Sequence, residues 1–283
     1  MLLQGLEVVE PVIILTLNTA IRTINQPGGR PVFLFDKNKL YKRYILLYIK
    51  MDKVIFDKII NTINKRTNNE TIFVGIHGPQ GSGKSTSCEN VKKKLHDQNI
   101  SCLIMSLDDF YYPYEKMKHV LFNIHDDLYK HRGLAGTHDT TWLEDFLKRI
   151  KDGENAILPK FNKSLHKGFG DIDEFVPIHE HYDVVILEGW MIGYKPRQFI
   201  PSYLRTFNKE LEKYQFLHDL FDTWLYFETD PKNMYDWRFN AETTMTKETF
   251  DEFIKPFCII YSSYLISGEN NKYVLDKNRN IME

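Results

Sequence analysis

The stretch from Thr71 to Leu95 constrains the fold more than any other part of the chain. Thr71-Ile72-Phe73-Val74-Gly75-Ile76 is β-branched and apolar. Gly78-Pro79-Gln80-Gly81-Ser82-Gly83-Lys84-Ser85 has the spacing G-x-x-x-x-G-K-[ST], and Ser85 to Leu95 has helix-forming composition. Strand, glycine loop and helix in that order predict a phosphate-binding loop. The glycines let backbone N–H groups turn toward phosphate oxygens, and the helix N-terminus adds partial positive charge. Gly78, Pro79, Gln80, Gly81, Ser82, Gly83, Lys84, Ser85 and Thr86 are therefore candidate nucleotide-binding residues. Lys84 is expected to reach the terminal phosphates of ATP, and Ser85 to hold Mg²⁺. The competing explanation is a plain Gly/Ser turn, and the flanking strand and helix patterns argue against it.

At 283 residues the chain is long enough for one large domain or two small ones, and 42% hydrophobic with 27% charged residues describes a globular protein with a sizeable core. The formal net charge of −1 gives no electrostatic reason to expect a nucleic-acid partner. Cys88, Cys102 and Cys258 are isolated and odd in number, which argues against a disulfide scaffold and fits a reducing compartment. The expected location is the cytoplasm, with the nucleus also open. The longest N-terminal apolar run, Val12 to Leu17, is too short to span a membrane, and Glu7 and Glu10 stand where a secretory signal carries basic residues.

Residues 1–50 differ from the rest, with short apolar runs around the break Pro27-Gly28-Gly29-Arg30-Pro31. They are expected to be an N-terminal extension of unknown role. A compact domain is expected to begin near Met51, where Phe56, Ile60 and Ile63 follow helical spacing with Ile55 and Ile59 beside them. Further strands are expected at 101–107, 183–189, 224–227 and 272–275, and helices at 141–150, 203–221, 231–242 and 247–265. Residues 158–177 are expected to be a long irregular segment. Helix-to-strand returns of about 15 residues indicate right-handed βαβ units. The expected fold class is α/β: a doubly wound, mainly parallel sheet with helices on both faces.

In such sheets ligands bind outside the carboxyl ends of the strands. Asp108, Asp109 and Glu188 fall at strand ends. Glu188 is the candidate Mg²⁺ carboxylate, and Asp108 the candidate base for an attacking hydroxyl. Helix capping is the alternative for the two aspartates. Arg238, on a helix after the fourth strand, is either a lid residue over the phosphates or the partner of Glu242 at i+4. Arg132-Gly133-Leu134-Ala135-Gly136-Thr137-His138-Asp139 offers a cation, a hydroxyl, an imidazole and a carboxylate, which suits a small, anionic, hydroxylated substrate. His179-Glu180-His181 lacks the H-E-x-x-H spacing and is read as a polar lead-in to a strand.

Together the motifs resemble the plant-type D-glycerate 3-kinase family and its fungal relatives, within the clan of uridine kinases, phosphoribulokinases and pantothenate kinases. The resemblance lies in Gly78 to Ser85, Leu107-Asp108-Asp109-Phe110-Tyr111, Arg132 to Asp139, Leu158 to Ser164, Leu187 to Gly193, and Trp237-Arg238 with Glu242; Met245-Thr246 and Asp276 to Arg279 also match. It covers about Phe56 to the C-terminus. It implies a P-loop NTPase fold over 51–283 and an ATP-dependent small-molecule kinase, glycerate-kinase-like, with ATP and Mg²⁺ as cofactors. Lys84, Asp108 and Arg238 take catalytic roles in this pattern, and Ser85 and Glu188 take the metal. The acceptor would face Asp109, Tyr111, Arg132, Thr137, His138, Asp139, Asn162 and His166. Phe161-Asn162 stands where the family usually has Tyr-Asp, removing a hydroxyl and a charge near the acceptor. Nucleoside or pantothenate phosphorylation is the alternative activity, and a nucleotide-binding regulatory protein without turnover is the alternative from another class.

Overall fold

Val184-Val185-Ile186-Leu187 leaves a strand no polar face, so it needs cover on both sides. In the computed structural model, which describes residues 50–66, 70–265 and 269–282, β5 (Val184–Gly189) is buried along its whole length. The expected N-terminal extension lies outside the described residues except for Lys50. β5 runs parallel to β1 (Ile72–His77) on one side and to β2 (Cys102–Ser106) on the other. The sheet order is β2-β5-β1-β6-β7-β8, with β6 (Thr223–Thr229) and β7 (Lys272–Leu275) parallel and β8 (Ile281–Met282) antiparallel to β7.

Alternate residues of the strands feed two cores. Val74, Ile76, Val184 and Ile186 face α1 (Met51–Ile63) and α2 (Lys84–His96). Phe73, Val185 and Leu187 face the opposite layer, which includes α4 (Thr140–Lys151) and α8 (Lys247–Ser263); between β2 and α4 lies α3 (Tyr114–Asn123). This is the two-residue period of a strand buried on both faces. In α1 the fully buried stripe is Met51, Ile55 and Ile59, while Phe56, Ile60 and Ile63 flank it.

Two expectations are corrected. Residues 158–177 are not irregular: β3 (Ala156–Asn162) and β4 (Asp171–Ile178) form an antiparallel hairpin. Pro159 and Pro177 read as strand breakers, but a two-stranded ribbon has free edges that tolerate them. The helix expected over 203–221 is broken into α5 (Arg205–Leu211) and α6 (Phe216–Leu220) with 3₁₀ turns before and between them.

Candidate active site

The glycine loop leaves β1 at His77, and Gly78 N–H donates to Gly189 O at 3.3 Å, tying it to the end of β5. Gly81 and Gly83 have φ of 75° and 91°, left-handed values that cost a side chain. A Cβ at Gly81 would lie 2.9 Å from the Cβ of Trp237, so the loop packs directly on α7 (Pro231–Ala241). Lys84 Nζ donates to Pro79 O at 3.1 Å and stands 3.9 Å from Glu188 Oε2. Burial lowers the Lys84 pKa, opposed by the charges of Glu188 and Asp108. Ser85 Oγ donates to Glu188 Oε1 at 2.7 Å. Thr86 is exposed in the first turn of α2, and Ser82 Oγ is buried with no hydrogen-bond partner among the described residues.

Because Ser106 of β2 pairs with Glu188 of β5, the 3₁₀ turn Leu107–Phe110 begins beside the glutamate. It carries both aspartates, which then separate in role. Asp109 Oδ2 accepts from Ser106 N–H at 3.1 Å, closing a capping box, and from Lys160 Nζ at 2.9 Å. Asp108 Oδ2 accepts from Lys163 Nζ at 2.5 Å. Burial pushes the Asp108 carboxyl up, but Lys163, His138 and the Tyr111 hydroxyl outweigh it and hold the group below the usual carboxylate range.

Tyr111 stacks on His138 with centroids 4.3 Å apart and lies edge-on to Phe161 at 5.0 Å. His138 is buried and bonds Tyr214 Oη through Nδ1 at 2.8 Å; burial lowers its pKa to about 3, so it stays neutral. Arg132 donates to the carbonyls of Gly168 and Phe169 at 2.7 and 2.6 Å and lies over the Phe161 ring. Other expected acceptor residues are engaged locally. The Thr137 hydroxyl is buried between Leu134 O and Gly133 N–H. Asp139 caps α4 at Trp142 N–H and pairs with Lys116. Asn162 closes a turn onto Ser164 and donates to Asp173, and His166 stacks on Tyr114 and meets Asp171 at 3.1 Å.

A family model for the KAP family P-loop domain matches residues 52–141. The uncharacterized kinase mug58 of Schizosaccharomyces pombe is 32% identical over 269 residues, covering 80% of this chain and 96% of that protein. The chloroplastic D-glycerate 3-kinase of Arabidopsis thaliana is 28% identical over 256 residues; the match takes in 81% of this chain and 55% of the longer plant protein. The solved D-glycerate 3-kinase of Cryptococcus neoformans superposes with a TM-score of 0.73 at 26% identity, over 82% of this chain and 98% of that one. The chain belongs to the D-glycerate 3-kinase-like family of P-loop kinases. As a member it is an ATP-dependent small-molecule kinase.

In this P-loop kinase the lid candidate Arg238 follows Trp237, the residue against the loop. Its Nε is buried without a partner among the described residues. The Glu242 pairing offered by helical spacing does not form there, because Glu242 caps Thr243 and Thr244 instead. Three further site residues have no individual role legible in the sequence, although Lys163 lies in the 161–166 loop expected to face the acceptor. Lys163 and Lys160 come from the β3–β4 hairpin and meet Asp108 and Asp109. Arg279, in a left-handed turn (φ 65°), donates from Nε to Gly81 O at 2.6 Å and lies over the Trp237 ring at 4.9 Å. The match at Asp276 to Arg279 was the one signal pointing there. No helix among the described residues is long and apolar enough to cross a membrane.

Proposed function

We propose that residues 51–283 form a kinase domain that transfers the γ-phosphate of ATP to a hydroxyl of a small, anionic acceptor of the glycerate type. The observation that carries this reading is the convergence of the Ser85–Glu188 contact and Asp108 at the ends of adjacent parallel strands, beside Lys84. Two relatives are D-glycerate 3-kinases by name. Arg132, Lys160 and Lys163 add positive charge on the hairpin side, which suits a carboxylate.

The donor set fits Mg²⁺. Ser85 Oγ and Glu188 Oε1, 2.7 Å apart, are hard oxygens, and Mg²⁺ takes few protein ligands beside water and phosphate. When bound, the ion neutralises charge on the phosphates. Lys84 supplies a fixed cation for the same phosphates, and the loop amides orient them. The acceptor oxygen attacks the γ-phosphorus in line, the bond to the ADP oxygen breaks, and Asp108 takes the hydroxyl proton. Phe161-Asn162 is compatible with this acceptor: Asn162 serves the turn, and Tyr111 retains a hydroxyl at the Asp108 carboxylate.

Asp108→Asn is expected to bind ATP normally and to lower phosphoryl transfer at least about a hundredfold. The assay is ADP release with D-glycerate, uridine and pantothenate as separate acceptors, alongside calorimetric titration of ATP. Near wild-type transfer by the variant removes Asp108 as base, and turnover of uridine or pantothenate alone removes the glycerate-type acceptor.

A further inference from the structure

We propose that Lys163 guards the base: without acceptor its ammonium covers the Asp108 carboxylate and keeps water from using it against ATP. The proposal rests on the assignment of Asp108 as base. Four groups face that carboxylate from the elements around it: Tyr111 beyond the 3₁₀ turn, His138 before α4, Lys84 from α2 and Lys163 from the hairpin loop. His138 is held neutral on Tyr214, and the Lys84 side chain is 8% exposed and fixed on Pro79 O. The Lys163 side chain is 58% exposed and sits 2.5 Å from Asp108 Oδ2. It is the charged neighbour with freedom to leave.

The hairpin loop behind Lys163 is anchored. Arg132 grips the carbonyls of Gly168 and Phe169, and His166 is held between Tyr114 and Asp171. Uncovering Asp108 therefore requires only a rotamer change of one long side chain, and a partly exposed ion pair opposes that change weakly. Lys160 does not share this freedom of role, because its partner Asp109 is also bound into the capping box with Ser106. A released ammonium seeks another anion. An acceptor with a negative group supplies one, and its hydroxyl takes the vacated place on Asp108. The residue that covers the base thus becomes the contact that detects the acceptor.

The reaction held off is hydrolysis. A water oxygen bonds to the γ-phosphorus, the bond to the ADP oxygen breaks with its electron pair leaving on ADP, and the water proton passes to Asp108 and on to solvent. The products are ADP and inorganic phosphate. General bases contribute about a hundredfold or more, so partial exposure of one is measurable.

The test is phosphate release by the full chain with ATP and Mg²⁺ and no acceptor. Lys163→Met is expected to raise it by about tenfold. Lys163→Arg, which restores a cation, brings the rate back down, and adding Asp108→Asn to Lys163→Met abolishes the gain. An unchanged or lower rate in Lys163→Met overturns the proposal. A gain that survives in the double variant also overturns it, since the water is then activated elsewhere. Asp108→Asn alone, assayed on acceptor phosphorylation, separates failure of the guard from failure of the base.

Discussion

Arg279 ties the C-terminal turn to the phosphate loop through one hydrogen bond and one ring. Its backbone holds a left-handed φ that a non-glycine residue adopts at a cost, and the turn is fixed by Asp276, which accepts from the backbone N–H groups of Asn278 and Asn280. Nε is spent on Gly81 O, and the guanidinium has further donors beyond that one. The side chain is exposed beside a loop built for a polyanion. Arg279→Met is therefore expected to raise KM for ATP by about five- to tenfold with kcat within about twofold, the signature of lost uniform binding. Steady-state kinetics at saturating acceptor checks this, and an unchanged KM refutes it. Residues such as Lys84, Ser85, Asp108 and Glu188 were legible in the sequence because each sits at a fixed offset from a motif or a strand end. Arg279 and Lys163 lay within matched stretches but their contacts were not legible, because those contacts join positions 198 and 55 residues apart and no spacing announces them.

Among the elements, the glycine loop and α7 depend on each other. Gly81 has its left-handed φ, and a methyl there would press on Trp237, whose Nε1 donates to Lys277 O at 2.8 Å. One substitution thus strains the loop, the helix and the C-terminal turn together. Gly81→Ala is expected to cost about 1–3 kcal/mol of stability and to weaken ATP binding. Urea unfolding with and without ATP measures both, and a loss below about 0.5 kcal/mol with normal affinity contradicts the close packing. The parallel strands were readable because burial on both faces demands unbroken apolar runs such as 184–187. The β3–β4 hairpin was hidden because its outer positions are polar or exposed, each of its strands holds a proline, and its connection over 163–170 is far longer than the two-residue turns that announce a hairpin in sequence. α3 was missed for a related reason: it buries little besides Met117, so its helical period is weak.

Across the whole molecule, folding takes two imidazoles out of water in different places. His77 ends β1 between Tyr194 and Tyr226 and accepts Gly193 N–H at 3.2 Å through Nδ1, while His138 sits on Tyr214 before α4. Burial lowers both to about 3, with the charge of Lys84 adding to the effect at His77. In the unfolded chain each titrates near 6.5, so between pH 6.5 and 3 the unfolded state binds the extra protons and stability falls as pH falls. The contribution is fully present above pH 6.5. His131 and His218, also lowered by burial, act in the same sense. Asp108, Asp171 and Asp183 are held below their ordinary 3.8, so their contribution is lost only at lower pH, as they protonate. The window from pH 6 to 5 therefore belongs to the histidines. Unfolding free energy is expected to drop by at least about 2 kcal/mol across it, about 1.2–1.4 kcal/mol for each of His77 and His138. Urea titrations at pH 7.5, 6 and 5 measure the slope, and His138→Gln, which keeps a polar group beside Tyr214 but cannot charge, should remove close to half of it. A flat profile from pH 7.5 to 5 would mean that these imidazoles are not held neutral by the core.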